Sequence, residues 1–482
     1  MTGSGALPFR KLLVANRGEI ACRVLRTAKR LGIATVAVYS EADAHAPHVA
    51  LADEAVLVGA PPARESYLRV DALVGAIERT GADAVHPGYG LLSENAGFAE
   101  AVAAAGATFV GPSPAALRSL GDKIEARRMA RAVGLAPPPG SDGPVEPADA
   151  ERLRLEAERI GFPILVKAAG GGGGIGMQVA RDVSELERSA RSASERGQAA
   201  FADARVYLEK LIEKPRHIEV QILRDAHGRG VALGERECSV QRRHQKIIEE
   251  SPSPAAFFAG AVGAERRQRL FDGAVALAHA VGYVGAGTVE FVADAGGAFY
   301  FLEVNARLQV EHAVTELVTG LDLVEWQLRI AAGEALPVSL GASPPSGHAI
   351  EARLYAEDPA RGFVPQPGTL AELRWPDPEL GPAHAMSRAL PGVRVDAGFV
   401  EGGVVTPHYD PLIAKIVAHA ETRARAIALL DQALERSSVR LEGPKGPKAT
   451  NREFLRRVLA SPDFARGEYD TGLAVELAKT GK

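Results

Sequence analysis

Sulfur, aromatic rings and net charge are all scarce in this chain of 482 residues. Cys22 and Cys238 are the two cysteines. They are too few for a disulfide framework or a zinc ligand set, and they fit a reducing, cytoplasmic setting. No apolar stretch approaches the ~20 residues needed to span a bilayer, so no membrane association is expected. The first ten residues, MTGSGALPFR, lack a charged segment followed by an apolar run, so no secretory signal is expected. Fifty-six basic residues against 60 acidic ones give a net charge of −4, which leaves no basic footprint for nucleic acid. No repeat of solenoid length is visible. Two nucleotide fingerprints are also missing. The first strand–helix turn has no Gly-x-Gly-x-x-Gly, and the glycine-rich stretch has no Gly-Lys-Ser/Thr.

What remains is an ordinary globular composition, 46% hydrophobic and 24% charged. At roughly 150 residues per domain, the length predicts about three domains. Residues 11–16 read as a buried strand, 19–31 as an amphipathic helix and 33–39 as a second strand, a β-α-β unit with a parallel sheet. Residues 84–95 close a further strand with a Pro-Gly turn, where Arg17 and Glu94 are either loop architecture or neighbours of a ligand or subunit interface. Residues 108–111 form a short strand, and 112–134 read as helix. A strand over 162–168 ends near Lys167. It is followed by five consecutive glycines, Gly170 to Gly174, and a strand over 177–180. Glycine backbones can approach anionic oxygens closely and donate N–H groups to them, so this hairpin reads as a flap over phosphates. Strands follow over 205–213 and 216–223. In the second of these, His217, Glu219 and Gln221 share a face. Gln241, His244 and Lys246 lie in a densely polar run, and Cys238 reads as a packed thiol.

The richest stretch runs from Phe301 to His312. At period 2, Glu303, Asn305, Arg307, Gln309 and Glu311 fall on one side and Val304, Ala306, Leu308 and Val310 on the other, which predicts a half-buried strand throughout. The polar side combines groups that hold a hard cation with groups that hold and activate an anion. A hairpin of 289–292 with 298–304 sets Glu290 beside Glu303, and two facing carboxylates call for a divalent cation, Mg²⁺ or Mn²⁺. Beyond Ser346, a strand over 348–355 carries Glu351 and Arg353 on one face. Residues 356–373 and 391–417 suggest a small antiparallel sheet, 410–419 looks buried, and the tail from Glu421 is mostly helical.

From about residue 8 to about 472 the chain resembles biotin carboxylase, an ATP-grasp ligase. The motifs that carry this are Asn16-Arg-Gly-Glu-Ile20, His86-Pro-Gly-Tyr-Gly90 with Ser93-Glu-Asn95, Gly121-Asp-Lys123, the glycine loop, Gln241-Arg-Arg-His-Gln-Lys246, Glu303 to Glu316 and Tyr409-Asp410. The resemblance implies an α/β protein with three domains. These are a parallel-sheet, Rossmann-like pre-ATP-grasp domain over 1–121, an ATP-grasp domain over 122–333 with a mobile lid at about 137–212, and a mixed antiparallel-sheet domain over 346–475. It implies that ATP and bicarbonate form carboxyphosphate, and that the carboxyl group passes to biotin carried on another protein. Lys123, Lys167, His217 and Lys246 would face the ATP phosphates under Gly172, Gly173 and Gly174. Glu209, Lys210 and Ile212 would border adenine, with Gln241 and His244 near the ribose. Glu290, Glu303 and Asn305 would hold two Mg²⁺ (or Mn²⁺) ions. Arg307, Gln309 and the backbone of Val310 would grip bicarbonate, Glu311 would deprotonate it, and Arg353 would stabilise deprotonated biotin.

Four departures from the family pattern stand out: Ile175 and Gln178 where the glycine loop usually carries positive charge, Ala313 for a usual proline, and a widened connection over 442–448. No Met-Lys-Met biotinylation site is present. The implied partners are therefore a separate biotin carboxyl carrier protein and carboxyltransferase subunits, in a homodimeric enzyme acting for an acetyl-CoA or other acyl-CoA carboxylase, with fatty acid biosynthesis as one setting. Two rival readings are an ATP-grasp ligase with another acceptor and a non-catalytic nucleotide-binding subunit.

Overall fold

A computed structural model describes residues 7–141, 143–168, 177–201, 203–242, 245–341, 344–376 and 392–480. The chain opens with β1 (Lys11–Val14), β2 (Ala34–Ser40), β3 (Glu54–Gly59), β4 (Ala84–His86) and β5 (Thr108–Phe109), in the order β3-β2-β1-β4-β5. β1 pairs in parallel with β2 and β4. Leu12, Leu13 and Val14 are fully buried, as a central parallel strand covered on both faces requires. The helix Gly18–Arg30 makes the first crossover, as the sequence predicts.

The helix expected over 112–134 is two helices, Pro114–Gly121 and Lys123–Ala132. Asp122 separates them. Its backbone is extended, and its carboxylate accepts the N–H groups of Ile124 (2.9 Å) and Glu125 (3.0 Å). An Asp satisfying the orphan donors of a new helix competes with continuing the old one. The break sets Lys123 at the start of the second helix.

β6 (Ile164–Ala168), β7 (Gln178–Ala180) and β8 (Val206–Lys210) form a separate sheet in the order β7-β6-β8. With the helices Ala150–Ile160 and Val183–Phe201, they enclose their own apolar core of Leu153, Ile164, Val166, Leu186 and Leu208. β6 and β7 pair antiparallel around the glycine stretch. Gly172, Gly173, Gly174, Ile175 and His244 lie outside the described residues.

The largest sheet has eight strands. β9 (Arg216–Arg224), β10 (Gly230–Arg242), β11 (Gln245–Ser251), β12 (Gly285–Ala293), β13 (Phe299–Asn305) and β14 (His348–Tyr355) run in the order β13-β12-β9-β10-β11-β14. Leu412–Ala420 and Gly392–Ala397 complete it. These two strands extend the sheet beyond β14. The sequence predicts them in a small separate antiparallel sheet; that sheet instead joins Gly368–Arg374 and Val404–Val405 to Ser438–Gly443 and Gly446–Lys448, two strands inside the tail read as mostly helical. The widened connection over 442–448 is a hairpin that pairs Gly443 with Gly446.

The strand expected over 301–312 ends at Asn305, and the helix His312–Thr319 begins seven positions later. Alternation continues through 306–311 without a β ladder, and side chains of Arg307, His312 and Lys415 reach the carbonyls of Leu308, Gln309 and Val310. β11 holds a second irregularity. Val240 pairs with Ile248 but Gln241 pairs with Lys246, so Ile247 is an extra residue. A bulge shifts the in–out phase of a strand by one, and this one brings Lys246 and Glu249 to the same face.

Candidate active site

Lys246 is the centre of the polar face of the large sheet. Its Nζ donates to Glu219 (2.6 Å), Glu290 (2.9 Å) and Glu311 (2.7 Å). β9, β12 and the loop after β13 each supply one carboxylate, and the β11 bulge supplies the cation. Burial alone would depress the ammonium, but the three carboxylates outweigh it and hold Lys246 well above its usual range. Burial raises Glu290 and Glu311. Lys246 and His217 reverse this for the first, and Lys246, Arg353 and Arg236 for the second, so both are held well below the usual carboxylate range. Glu219 is pushed up by its burial, with Arg236 opposing. The fully buried Arg236 pairs with Glu219 at 2.5 Å and donates to Gln221, Thr315 and Thr288.

Glu290 accepts four hydrogen bonds. Besides Lys246 these come from His217 Nε2 (2.8 Å), Asn305 (2.9 Å) and Gln309 (2.9 Å). Gln241 donates to His217 Nδ1 at 2.7 Å, which assigns the remaining ring proton to Nε2. Glu290 faces Glu303 in register across β12 and β13, as the sequence predicts. Glu303 is partly exposed, and Lys123 lies 3.9 Å from it. Ligand atoms of His217, Glu219 and Glu290 all lie within 4.8 Å of one another. Two facing carboxylates beside an amide oxygen form an oxygen-donor set that fits a hard divalent cation.

The loop 306–311 carries the residues expected to bind an anion. Arg307 donates to Glu94 (3.0 Å), Asn305 Oδ1 (2.9 Å) and Gln309 Oε1 (3.0 Å), and the Ala306 N–H donates to Glu94 as well (2.9 Å). Glu94 therefore belongs with this loop, whereas Arg17 pairs with Asp43 and lies over the Tyr409 ring at 4.2 Å. The second Glu311 oxygen accepts from Arg353 at 2.9 Å, and Arg353 also pairs with Glu249 at 2.5 Å. Cys238 is buried, with its sulfur 3.9 Å from Glu311. Burial and the neighbouring carboxylates push this thiol well up, so it packs as expected.

The remaining residues sit in the β6–β8 sheet and its neighbours. The Glu209 carboxylate is engaged by Arg127 and Lys167. Lys210 turns its Nζ onto the carbonyls of Gly161 (3.1 Å) and Phe162 (2.6 Å), and Ile212 is partly buried past the strand end. The backbone there is paired as well: β8 runs antiparallel to β6, and the Lys210 N–H donates to the Pro139 carbonyl at 2.7 Å. Glu219, Arg236, Glu249 and Lys415 are site residues that the sequence reading did not select. Glu219 was within reach through its shared face with His217. Lys415, a single cation in the apolar run of 411–418, carried a signal of its own.

Three family models match the chain: "Biotin carboxylase, N-terminal domain" over residues 8–117, "Carbamoyl-phosphate synthase L chain, ATP binding domain" over 122–339, and "Biotin carboxylase C-terminal domain" over 351–475. The biotin carboxylase of Halalkalibacterium halodurans is 47% identical over 98% of this chain and 99% of its own length. The propionyl-CoA carboxylase alpha chain of Ruegeria pomeroyi is 48% identical over 97% of this chain and 68% of its length. The methylcrotonoyl-CoA carboxylase subunit alpha of Oryza sativa is 50% identical, and the chain spans 59% of it. Among solved structures, biotin carboxylase of Campylobacter jejuni superposes with a TM-score of 0.89 at 40% identity, covering 98% of this chain and all of that one. The biotin carboxylase domain dimer of Hydrogenobacter thermophilus 2-oxoglutarate carboxylase, in complex with MgADP, ADP and bicarbonate, superposes at 0.88, with 40% identity and 97% of both chains covered. The chain belongs to the biotin carboxylase family, ATP-dependent carboxylases that form a C–N bond.

Proposed function

We propose that this chain carboxylates biotin borne on a separate carrier protein, as the first half-reaction of an acyl-CoA carboxylase. The observation that carries this reading is Glu311, a buried carboxylate held ionised between Lys246 and Arg353, next to the anion-binding loop. Bicarbonate binds to Arg307, Gln309 and the Val310 N–H. Glu311 takes its proton, and the freed oxygen attacks the γ-phosphorus of ATP, releasing ADP and leaving carboxyphosphate. Lys123, Lys167 and Lys246 neutralise the phosphates, the main requirement of phosphoryl transfer, and His217 faces them. Glu290, Glu303 and Asn305 hold divalent metal, which supplies charge neutralisation at the phosphate oxygens. Gln241 borders the ribose. Carboxyphosphate then yields CO₂ and phosphate. The phosphate removes the N1′ proton of biotin, and N1′ attacks CO₂ while Arg353 stabilises the anionic ureido oxygen.

The division into domains at 1–121, 122–333 and 346–475, with the lid over about 137–212, belongs to the same reading. So does a homodimer that works with a carrier protein and carboxyltransferase subunits. The curated relatives named for propionyl-CoA and methylcrotonoyl-CoA support an acyl-CoA acceptor at the second half-reaction. Acetyl-CoA, and with it fatty acid synthesis, is one member of that class.

The test is ADP release from ATP and Mg²⁺ with bicarbonate and free biotin added singly and together. A rise that requires both is the expected result. Turnover driven by an amine without biotin, or none under any combination, would overturn the reading. Arg353→Ala should keep nucleotide binding and lose biotin carboxylation, measured with labelled bicarbonate.

A further inference from the structure

The loop 306–311 has no strand beside it, yet its carbonyls are held one after another by side chains. Arg307 donates to the Leu308 carbonyl at 3.2 Å, His312 Nδ1 lies 2.8 Å from the Gln309 carbonyl, and Lys415 Nζ donates to the Val310 carbonyl at 2.7 Å. His312 and Lys415 are both fully buried. Because a carbonyl accepts only, the His312 contact places a ring proton on Nδ1. Lys415 reaches the loop from the strand Leu412–Ala420, and its ammonium also lies 3.3 Å from Glu19 in the helix Gly18–Arg30 and 3.9 Å from Asp396. One lysine thus ties the loop to both the first and the last third of the chain.

A trans peptide unit is planar, with its C=O and N–H pointing in opposite directions. Fixing the Gln309 carbonyl therefore fixes the Val310 N–H, directed away from His312. Fixing the Val310 carbonyl in the same way fixes the plane that leads into Glu311. We propose that His312 and Lys415 are positioning residues for bicarbonate activation: His312 orients the Val310 N–H that binds the anion, and Lys415 sets the backbone of the base Glu311. This rests on the bicarbonate reading of the loop given above. A donor and a base aligned before the anion arrives avoid reorganisation during the reaction, and a misplacement of about 1 Å is enough to lose much of the rate.

The experiment compares steady-state KM for bicarbonate and for ATP across variants of the full chain. His312→Leu removes the donor. His312→Asn restores one, because the Asn amide nitrogen occupies the place of Nδ1. The expected result is a bicarbonate KM raised about tenfold in His312→Leu and largely recovered in His312→Asn, with the ATP KM unchanged in both. Lys415→Met combined with Glu19→Gln removes the ammonium together with the charge of its nearer carboxylate partner, while Asp396 keeps its pair with Arg394 at 2.7 Å. It should lower kcat about tenfold with the ATP KM unchanged. An unaltered bicarbonate KM in His312→Leu, or an Asn variant no better than Leu, overturns the role of His312. A Lys415 double variant that loses melting temperature but keeps kcat overturns the role of Lys415, leaving it structural only. Arg307→Ala separates the two levels: if it leaves the bicarbonate KM unchanged, the site reading itself fails. If it raises that KM while the His312 and Lys415 variants do not, only the positioning roles fail.

Discussion

Two adjacent glutamates on β11 lead opposite lives. Glu250 accepts from His348 (2.6 Å) and from both nitrogens of the Arg423 fork (2.6 and 2.9 Å), and the Tyr469 hydroxyl also donates to it. Burial raises its pKa, but these donors prevail and bring it down to about 2. Glu249, on the other face, pairs with Arg353, which it shares with Glu311, and it stands opposite Glu351 in register. Burial and the charge of Glu311 push its pKa up to about 7, against Arg353. The Glu250 face is a closed account of one carboxylate and more than enough donors. The Glu249 face gathers the carboxyl groups of Glu219, Glu249, Glu290 and Glu311 around Lys246, Arg236 and Arg353, one carboxyl more than the cations, and Glu249 meets the surplus by holding its proton. Surplus charge of one sign in a buried site is poor for stability and useful for holding cations and shifting protons.

The largest expected effect lies on the surplus face. Glu311→Gln keeps the shape of the side chain and removes the proposed base. Bicarbonate-dependent ADP release should fall by about 10²–10⁴-fold, while ATP binding by calorimetry stays. Near-normal turnover would remove Glu311 as base and with it the functional side of the contrast. On the closed face, Glu250→Ala strands His348 and Arg423. It should lower stability by about 3–5 kcal/mol in denaturant unfolding, with turnover of the folded fraction preserved. A variant as stable as the parent but inactive would reverse the assignment of the two faces.

How much of this was readable from sequence depends on how local the cause is. The β-α-β opening, the Glu290–Glu303 hairpin and the polar period of 303–311 are set by neighbouring residues, and they emerge at their expected positions. The strand reading of 306–311 fails because period 2 reports which side chains alternate, not whether a partner strand exists. His312, Arg307 and Lys415 take the place of that partner. The meeting of Lys246 with Glu249 rests on one extra residue, Ile247, whose bulge is decided by pairing with β10 and leaves no compositional mark. The break at Asp122 was legible in principle, since an Asp just before Lys-Ile-Glu is an ordinary helix start.

Acid titration sharpens the comparison at an intermediate scale. Glu250 has a folded-state pKa below its unfolded value of 4.5, so its stabilisation is in place above about pH 4.5 and lost as the pH falls toward about 2. That shift corresponds to about 3 kcal/mol. Glu250→Gln should therefore flatten the dependence of stability on pH across this window, read from denaturant midpoints. An unchanged slope would show that Glu250 is not the carboxylate whose protonation drives acid unfolding.

The smallest effect has the opposite sign. Glu249 has a folded-state pKa raised to about 7, so the folded protein retains a proton that the unfolded chain releases from about pH 4.5 upward. Stability should then fall as pH rises through that window, because the folded state binds more protons than the unfolded one. Glu249→Gln fixes the neutral form. It should raise the melting temperature at pH 8 by about 1–3 °C and change it little at pH 5. Loss of stability at both values would mean that Glu249 is ionised beside Arg353 and that β11 carries the same electrostatics on its two faces. A gain confined to high pH would show that one strand holds a carboxylate that wants its charge next to one that does not.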